Sequence, residues 1–255
     1  QVMGWPESRM QHWASRLPDS YWLSEPGDVL AANARLVADA EQDQAPLTIR
    51  TIPDSGSGTT LVTIWAQDHP GLFYRIAGGI SLAGANIVDA RIHTTRDGMA
   101  LDNIVVQDPF GGTFDEPRRL RRMEQAIRDS LAGKVRLAAR LSEKPLPRRR
   151  QDAFRVVPQV FIDNRASNRF TVVEVNALDR PALLHALTRA LYNARVTIHS
   201  AHIATYGERA VDTFYLTDLT GDKLNAPQKM RAIEKRLLDA VRTVEHDAAD
   251  AMAAQ

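Results

Sequence analysis

Hydrophobic positions along this chain alternate between two periods, and the alternation runs through the same order twice. Leu47-Thr48-Ile49-Arg50-Thr51-Ile52 switches strictly between apolar and polar residues, the period of a strand with one buried face. Pro53 to Gly58 is rich in turn formers, and Thr60 to Trp65 returns as a second strand. Leu72, Ile76, Ile80 and Ala83 then follow helical spacing, closed by Gly84-Ala85. Asn86 to Thr95 and Met99 to Gln107 read as strands on either side of Arg96-Asp97-Gly98, where Asp-Gly favours a tight hairpin. A second helix follows Asp115-Glu116-Pro117, with Leu120, Met123, Ile127 and Leu131 on one face and Gly133 as its stop. Val135, Leu137 and Ala139 alternate as a final strand.

The same succession returns from Val157 to Val241. Val157 to Asp163 and Phe170 to Val175 are the paired strands, and Leu183, Leu187 and Leu191 mark the first helix. Thr197 to Thr205 and Ala210 to Asp218 form the hairpin, and Met230, Ile233, Leu237 and Val241 follow Asn225-Ala226-Pro227 as the last helix. For a closing strand this copy offers only Glu245 to Ala249, which has no alternation, and residues 248–255 read as a frayed tail.

Identities confirm a duplication. Asp68-His69-Pro70-Gly71-Leu72-Phe73 recurs 111 residues later as Asp179-Arg180-Pro181-Ala182-Leu183-Leu184, and Ile87, Ala90 and Ile92 meet Ile198, Ala201 and Ile203 at the same offset. After one deletion Ala100 and Asp102 meet Ala210 and Asp212. A period this long exceeds the ~20–50 residues of solenoid units, so it marks a repeated small domain. The expected fold is α+β, two tandem ferredoxin-like β-α-β-β-α-β units, each preceded by an extra strand, over residues 46–143 and 156–247. Residues 144–155 read as an extended linker, because Lys144-Pro145-Leu146-Pro147-Arg148-Arg149-Arg150 cannot build a core. Residues 1–45 lie outside the repeat and read as a helical connector, with Asp28 capping a helix that reaches Gln42. Trp5, Trp13, Tyr21 and Trp22 crowd into it, and are expected to bury against a domain upstream.

Composition narrows the function. A net charge of +1 argues against a dedicated electrostatic surface for nucleic acid or membrane. The chain has no cysteine, so it has no disulfide framework, thiolate nucleophile or thiolate metal ligand. It has no apolar run of ~18 residues and a polar start unlike a signal peptide. These features point to the cytoplasm. The first residue is Gln1 rather than Met, and the chain reads as a piece of a longer protein. The seven histidines are scattered. His199 and His202, three apart on a strand, face opposite sides and share no metal, so neither a catalytic constellation nor a metal site is expected.

The two Asp-x-Pro turns are the candidate sites. Asp68 reads as a cap of the following helix, with Pro70 tolerated in its first turn. A helix N-terminus attracts carboxylates, and Gly71 leaves room for one. A free α-amino acid fits such surroundings, with its carboxylate on the helix, its ammonium near Asp68 and its side chain toward Asn86. The other reading is that Asp68 and Asp179 are caps and Gly71 a packing convenience.

The turn Asp68-His69-Pro70-Gly71-Leu72-Phe73 on a duplicated unit resembles the ACT domain, a module that usually senses amino acids. Ala83-Gly84-Ala85-Asn86-Ile87-Val88-Asp89-Ala90-Arg91-Ile92, Asp97 to Asp102, Ser200 to Asp212 and Asp218-Leu219-Thr220-Gly221 extend the match to the paired ACT domains at the C-terminus of bacterial bifunctional uridylyltransferase/uridylyl-removing enzymes. Pro18 to Leu23 resembles the segment that joins that pair to the preceding domain. The resemblance implies a full-length enzyme acting on a PII-type nitrogen-regulatory protein with UTP and Mg²⁺. Its catalytic domains would lie before Gln1, and this region would hold L-glutamine without a cofactor of its own. It places ligand at Asp68, Gly71, Leu72, Asn86 and Ile87, and in the second repeat at Asp179, Leu183, Thr197 and Ile198. Ala182 in place of Gly71 and Thr197 in place of Asn86 weigh against the second set. Two rivals stay open: a pairing module without ligand, and an RNA-binding module of the same strand order. The latter would need stacking aromatics, which Met99 to Gln107 lacks.

Overall fold

The computed structural model describes residues 4–142, 156–180 and 182–253, so the linker read at 144–155 lies outside the described residues. The elements are α1 (Glu7–Arg16), α2 (Asp19–Ser24), α3 (Gly27–Gln42), β1 (Leu47–Asp54), β2 (Thr59–Gln67), α4 (Leu72–Leu82), β3 (Asn86–Thr94), β4 (Met99–Gln107), α5 (Pro117–Leu131) and α6 (Leu137–Ser142). They continue with β5 (Gln159–Asp163), β6 (Thr171–Leu178), α7 (Leu183–Asn193), β7 (Val196–Tyr206), β8 (Arg209–Asp218) and α8 (Pro227–Ala253).

The strands form one antiparallel sheet in the order β1-β2-β4-β3-β7-β8-β6-β5. Each repeat supplies four neighbouring strands, and the second repeat runs in reverse order. The halves join where β3 pairs with β7, through Asp89↔His202, Ala90↔Ala201 and Arg91↔Ser200. The two ACT-like units therefore pair within one chain, about a local dyad. Both seam strands also carry a bulge at the same repeat position, between Ile87 and Asp89 and between Ile198 and Ser200.

One face of the sheet carries a single apolar core that crosses the seam. Val62, Ile64, Ile104 and Val106 meet Ile76, Ile80, Met123 and Ile127, and the cluster runs on through Val173, Val175, Leu187, Leu191, Phe214 and Leu237. The helical stripes read from the sequence are the ones that bury. On the opposite face α1 to α3 cover the first repeat. Trp13, Leu17, Tyr21, Leu36 and Val37 pack there with Trp65 of β2 and Leu101 of β4. Trp13 and Tyr21 of the connector therefore find partners in this chain's own sheet, with Trp5 and Trp22 partly buried against the same cluster.

Four further expectations change. The closing strand of the first repeat is the helix α6, with Leu137 and Leu141 buried four residues apart. The opening strand β1 pairs along the whole of β2 and fills the edge that a closing strand would need. In the second repeat the corresponding residues continue α8, with Val244 buried, so the helix extends through Ala253 into the stretch read as a tail. Strand β5 begins at Gln159 rather than Val157. Asp28 lies inside the first turn of α3, whose cap position is Pro26.

A candidate ligand site at the seam between the repeats

The Asp68 turn is built differently from the helix cap expected of it. The Asp68 backbone N–H donates to Gly98 O at 3.0 Å, and its carboxylate accepts from Thr94 Oγ1 at 2.8 Å. The side chain is thereby committed to the β3–β4 hairpin. Helix α4 starts two residues past Pro70, at Leu72, with Gly71 in the cap position and no side-chain cap. Its first-turn N–H groups retain their affinity for an anion.

Gly71 has φ +84°, which favours glycine, and a Cβ placed there would lie 2.5 Å from Tyr74 Cε1. Both facts require glycine in the first turn. In the second turn Ala182 has φ −93° and needs none. Asp179 keeps the backbone arrangement of Asp68, donating its N–H to Glu208 O at 2.8 Å across the β7–β8 hairpin.

The antiparallel seam regroups the candidate residues. Asp68 is bonded to Thr94 at the end of β3, whereas Asn86 and Ile87 begin that strand. Eight residues of strand separate Asn86 from Thr94, roughly 25 Å at ~3.3 Å per residue. Asp68, Gly71 and Leu72 are therefore not brought together with Asn86 and Ile87. From the Arg91↔Ser200 pair, three steps along β3 reach Thr94 and three steps back along β7 reach Thr197. The Asp68 turn thus faces the start of β7, with Thr197 and Ile198. By the same geometry Asn86 and Ile87 lie at the end where β7 finishes and Asp179 sits, together with Leu183. Each set combines a turn from one repeat with a strand end from the other.

Sequence reasoning passed over two residues beneath these turns. Asp102 of β4 pairs with Ile64 and Ile92 on the helix-covered face and is fully buried, and neither of its carboxyl oxygens makes a well-aligned hydrogen bond, the His93 backbone N–H giving only partial support. Burial, and then the charge of Asp68, push this carboxyl well above its ordinary pKa, opposed by the His93 backbone amide. Asp212 occupies the equivalent position in the second repeat. Burial and then Asp179 push it up to about 8. The signal was present in the sequence: Asp102 interrupts a face otherwise made by Ala100, Ile104 and Val106.

The other sheet face is polar where it meets the connector. Glu25, at the end of α2, has Oε1 2.8 Å from His93 Nε2 and accepts from Asn103 Nδ2 at 2.9 Å, while Oε2 accepts from Arg91 at 3.1 Å. Burial alone would raise the Glu25 carboxyl. Its hydrogen bonds to His93 and Asn103 and the charges of His93 and Arg91 outweigh that and hold it below its ordinary value. Strand β3 therefore binds the Asp68 turn through Thr94 on one face and the connector through Arg91 and His93 on the other.

His199 and His202 have separate partners: His199 Nε2 lies 2.9 Å from Thr217 Oγ1, and His202 Nδ1 lies 3.7 Å from Asp89. Among the described residues no group of three or more His, Asp or Glu is placed to hold a metal. The Mg²⁺ implied for a full-length enzyme finds no fitting donor set among them. No helix among the described residues is long and apolar enough to cross a membrane.

Residues 60–128 match the ACT domain family. Over 225 residues the chain is 55% identical to a bifunctional uridylyltransferase/uridylyl-removing enzyme of Novosphingobium aromaticivorans, a match covering 88% of this chain and 24% of that protein. Proteins of the same description from Erythrobacter litoralis and Zymomonas mobilis are 52% and 50% identical, each over 94% of this chain and 26% of the relative. The chain spans about a quarter of the length of these curated relatives. The chain thus contains a match to the ACT domain family over residues 60–128 and is similar along nearly its whole length to about one quarter of bifunctional uridylyltransferase/uridylyl-removing enzymes.

Proposed function

We propose that this chain is the amino-acid-sensing region of such an enzyme, and that L-glutamine binds where the Asp68 turn of one repeat faces the start of β7 in the other. The observation that carries the reading is the N-terminus of α4 behind Gly71, which has no side-chain cap, with the Asp68 turn leading into it. In the full-length enzyme, ligand at this seam shifts the balance from uridylylation toward deuridylylation of a PII-type protein. The nucleotidyl transfer, with its Mg²⁺ and UTP, belongs to other domains.

A sensor acts only through unequal affinity for two arrangements of the protein. Strand β3 offers the physical link, since Thr94 and His93 are neighbours that bind the turn and the connector respectively. In the full-length enzyme Asp68→Ala is expected to flatten the dependence of both activities on glutamine concentration. An unchanged glutamine dose-response contradicts the assignment.

A pairing module without ligand is the second reading, and the direct Ala90↔Ala201 seam favours it. Saturable binding of an amino acid separates the two. An RNA platform gains little support, because α1 to α3 cover the open face of the first repeat.

A further inference from the structure

Asp102 is a buried acid that no part of the fold explains. A poorly partnered carboxyl inside an apolar core is destabilising, yet both repeats bury an acid here, Asp102 with both oxygens and Asp212 with one oxygen lacking a well-formed hydrogen bond. The position of Asp102 is informative. Thr94 and Ala100 are paired in the ladder, and Asp68 is bonded to that Thr94. Asp102 pairs with Ile92 in the next row on the same face, about 7 Å along the strands for two residues. The side chain between the two acids is the small Ala100. Asp68 is half-exposed and Asp102 wholly enclosed, so the pair runs from the surface inward, with Asp102 as the floor.

We infer that Asp102 is the seat of the ligand's primary ammonium group, which enters past Asp68 and rests between the two carboxylates. The inference builds on the amino-acid reading above but is independent of which amino acid binds. A primary ammonium brings three N–H donors and one positive charge, and supplies what both unpartnered oxygens lack. Among the described residues no group of three or more His, Asp or Glu is placed to hold a metal ion, and Asp68 and Asp102 are only a pair. Proton balance follows. Burial and the charge of Asp68 favour the protonated form of Asp102 in the empty site, an arriving ammonium favours the ionised form, and a proton lost on binding leaves to the buffer. The charged group that acts on Asp102 is Asp68. On β3, the His93 ring turns to the opposite face and Glu25. The buried residues of α4, Leu72, Phe73 and Ile76, carry no titratable group, while Tyr74 turns toward His185 and Tyr192 of α7, with Arg75 beside its hydroxyl.

The test is calorimetric titration of the 255-residue chain at pH 7 in two buffers of different ionisation enthalpy, with glutamine, a panel of other L-amino acids and Mg²⁺. The expected result is a net release of protons on amino-acid binding, read as a difference in heat between the two buffers. Asp102→Asn should abolish that release and weaken binding about tenfold or more, while its melting temperature stays level or rises and so excludes misfolding. Wild-type affinity and proton count in Asp102→Asn would overturn the seat and leave the glutamine reading intact. Asp102-dependent binding of another amino acid, with none of glutamine, would keep the seat and remove glutamine. Heat from Mg²⁺ alone, or from no amino acid, would overturn both.

Discussion

Ala90 lies directly opposite Ala201 across the β3–β7 ladder, and the two are the same position of the duplicated unit, 111 residues apart. Tyr74 and His185 stand in the same relation, with His185 Nδ1 3.1 Å from Tyr74 O and the rings 5.6 Å apart between α4 and α7. A repeat position that meets its own copy marks a dyad, here placed within one chain and crossed by one core. Ala90 and Ala201 are both buried, and there is no room at the seam for a longer side chain. Ala90→Leu is therefore expected to cost about 1–3 kcal/mol. Combining it with Ala201→Leu should depart from additivity, because the two sites touch. Urea unfolding of the three variants measures both effects.

The two turns should respond oppositely to exchange of glycine and alanine. Gly71→Ala meets both the positive φ and the Tyr74 ring, for an expected loss of about 1–3 kcal/mol. Tyr74→Ala in that background relieves the steric part and leaves the backbone part. Ala182→Gly changes stability only through chain entropy, by about 1 kcal/mol or less. Thermal melts of these variants decide the point.

Glu25 holds the connector to the sheet. Glu25→Ala strands His93 and Asn103 in a buried site and should cost about 3–5 kcal/mol. The folded Glu25 carboxyl lies below its ordinary value, so its contribution is present above the unfolded pKa and disappears as pH falls through the folded one. Hydrogen exchange should show α1 to α3 losing protection first, both in the variant and in acid. Uniform loss across both repeats would contradict a local role.

Asp212 predicts the opposite pH dependence. Its carboxyl titrates near 8 in the folded chain against ~3.9 when unfolded. The folded state therefore holds the extra proton, and stability drains away as pH rises from about 4 to 8. Asp212→Asn should raise the melting temperature at pH 8 and much less at pH 5. A pH-independent difference would show that the acid is not buried and neutral.

Strands and turns were legible because alternation and Gly/Pro punctuation are local. The closing strand of the first repeat was not, since Leu137 and Leu141 fit a helix while Val135, Leu137 and Ala139 fit a strand. Only the placement of β1 along β2 decides between them. The seam pairing is long-range and invisible one repeat at a time: along the β3–β7 ladder Asn86 lies toward the Asp179 end, and Thr197 toward Asp68. Asp102 was visible in the repeat identities, but its significance depends on burial and on the want of a partner. The Asp68 cap failed because Thr94 competes for the same carboxylate from another strand.

The measurement closest to the central claim is amide chemical-shift mapping of the isotopically labelled chain during titration with glutamine. A site shared between repeats predicts that Gly71, Leu72, Thr94 and Thr197 move together with one saturation curve. Movement of Gly71 with Asn86 while Thr197 stays still would contradict the shared site, and a silent spectrum would leave the paired repeats without the ligand proposed for them.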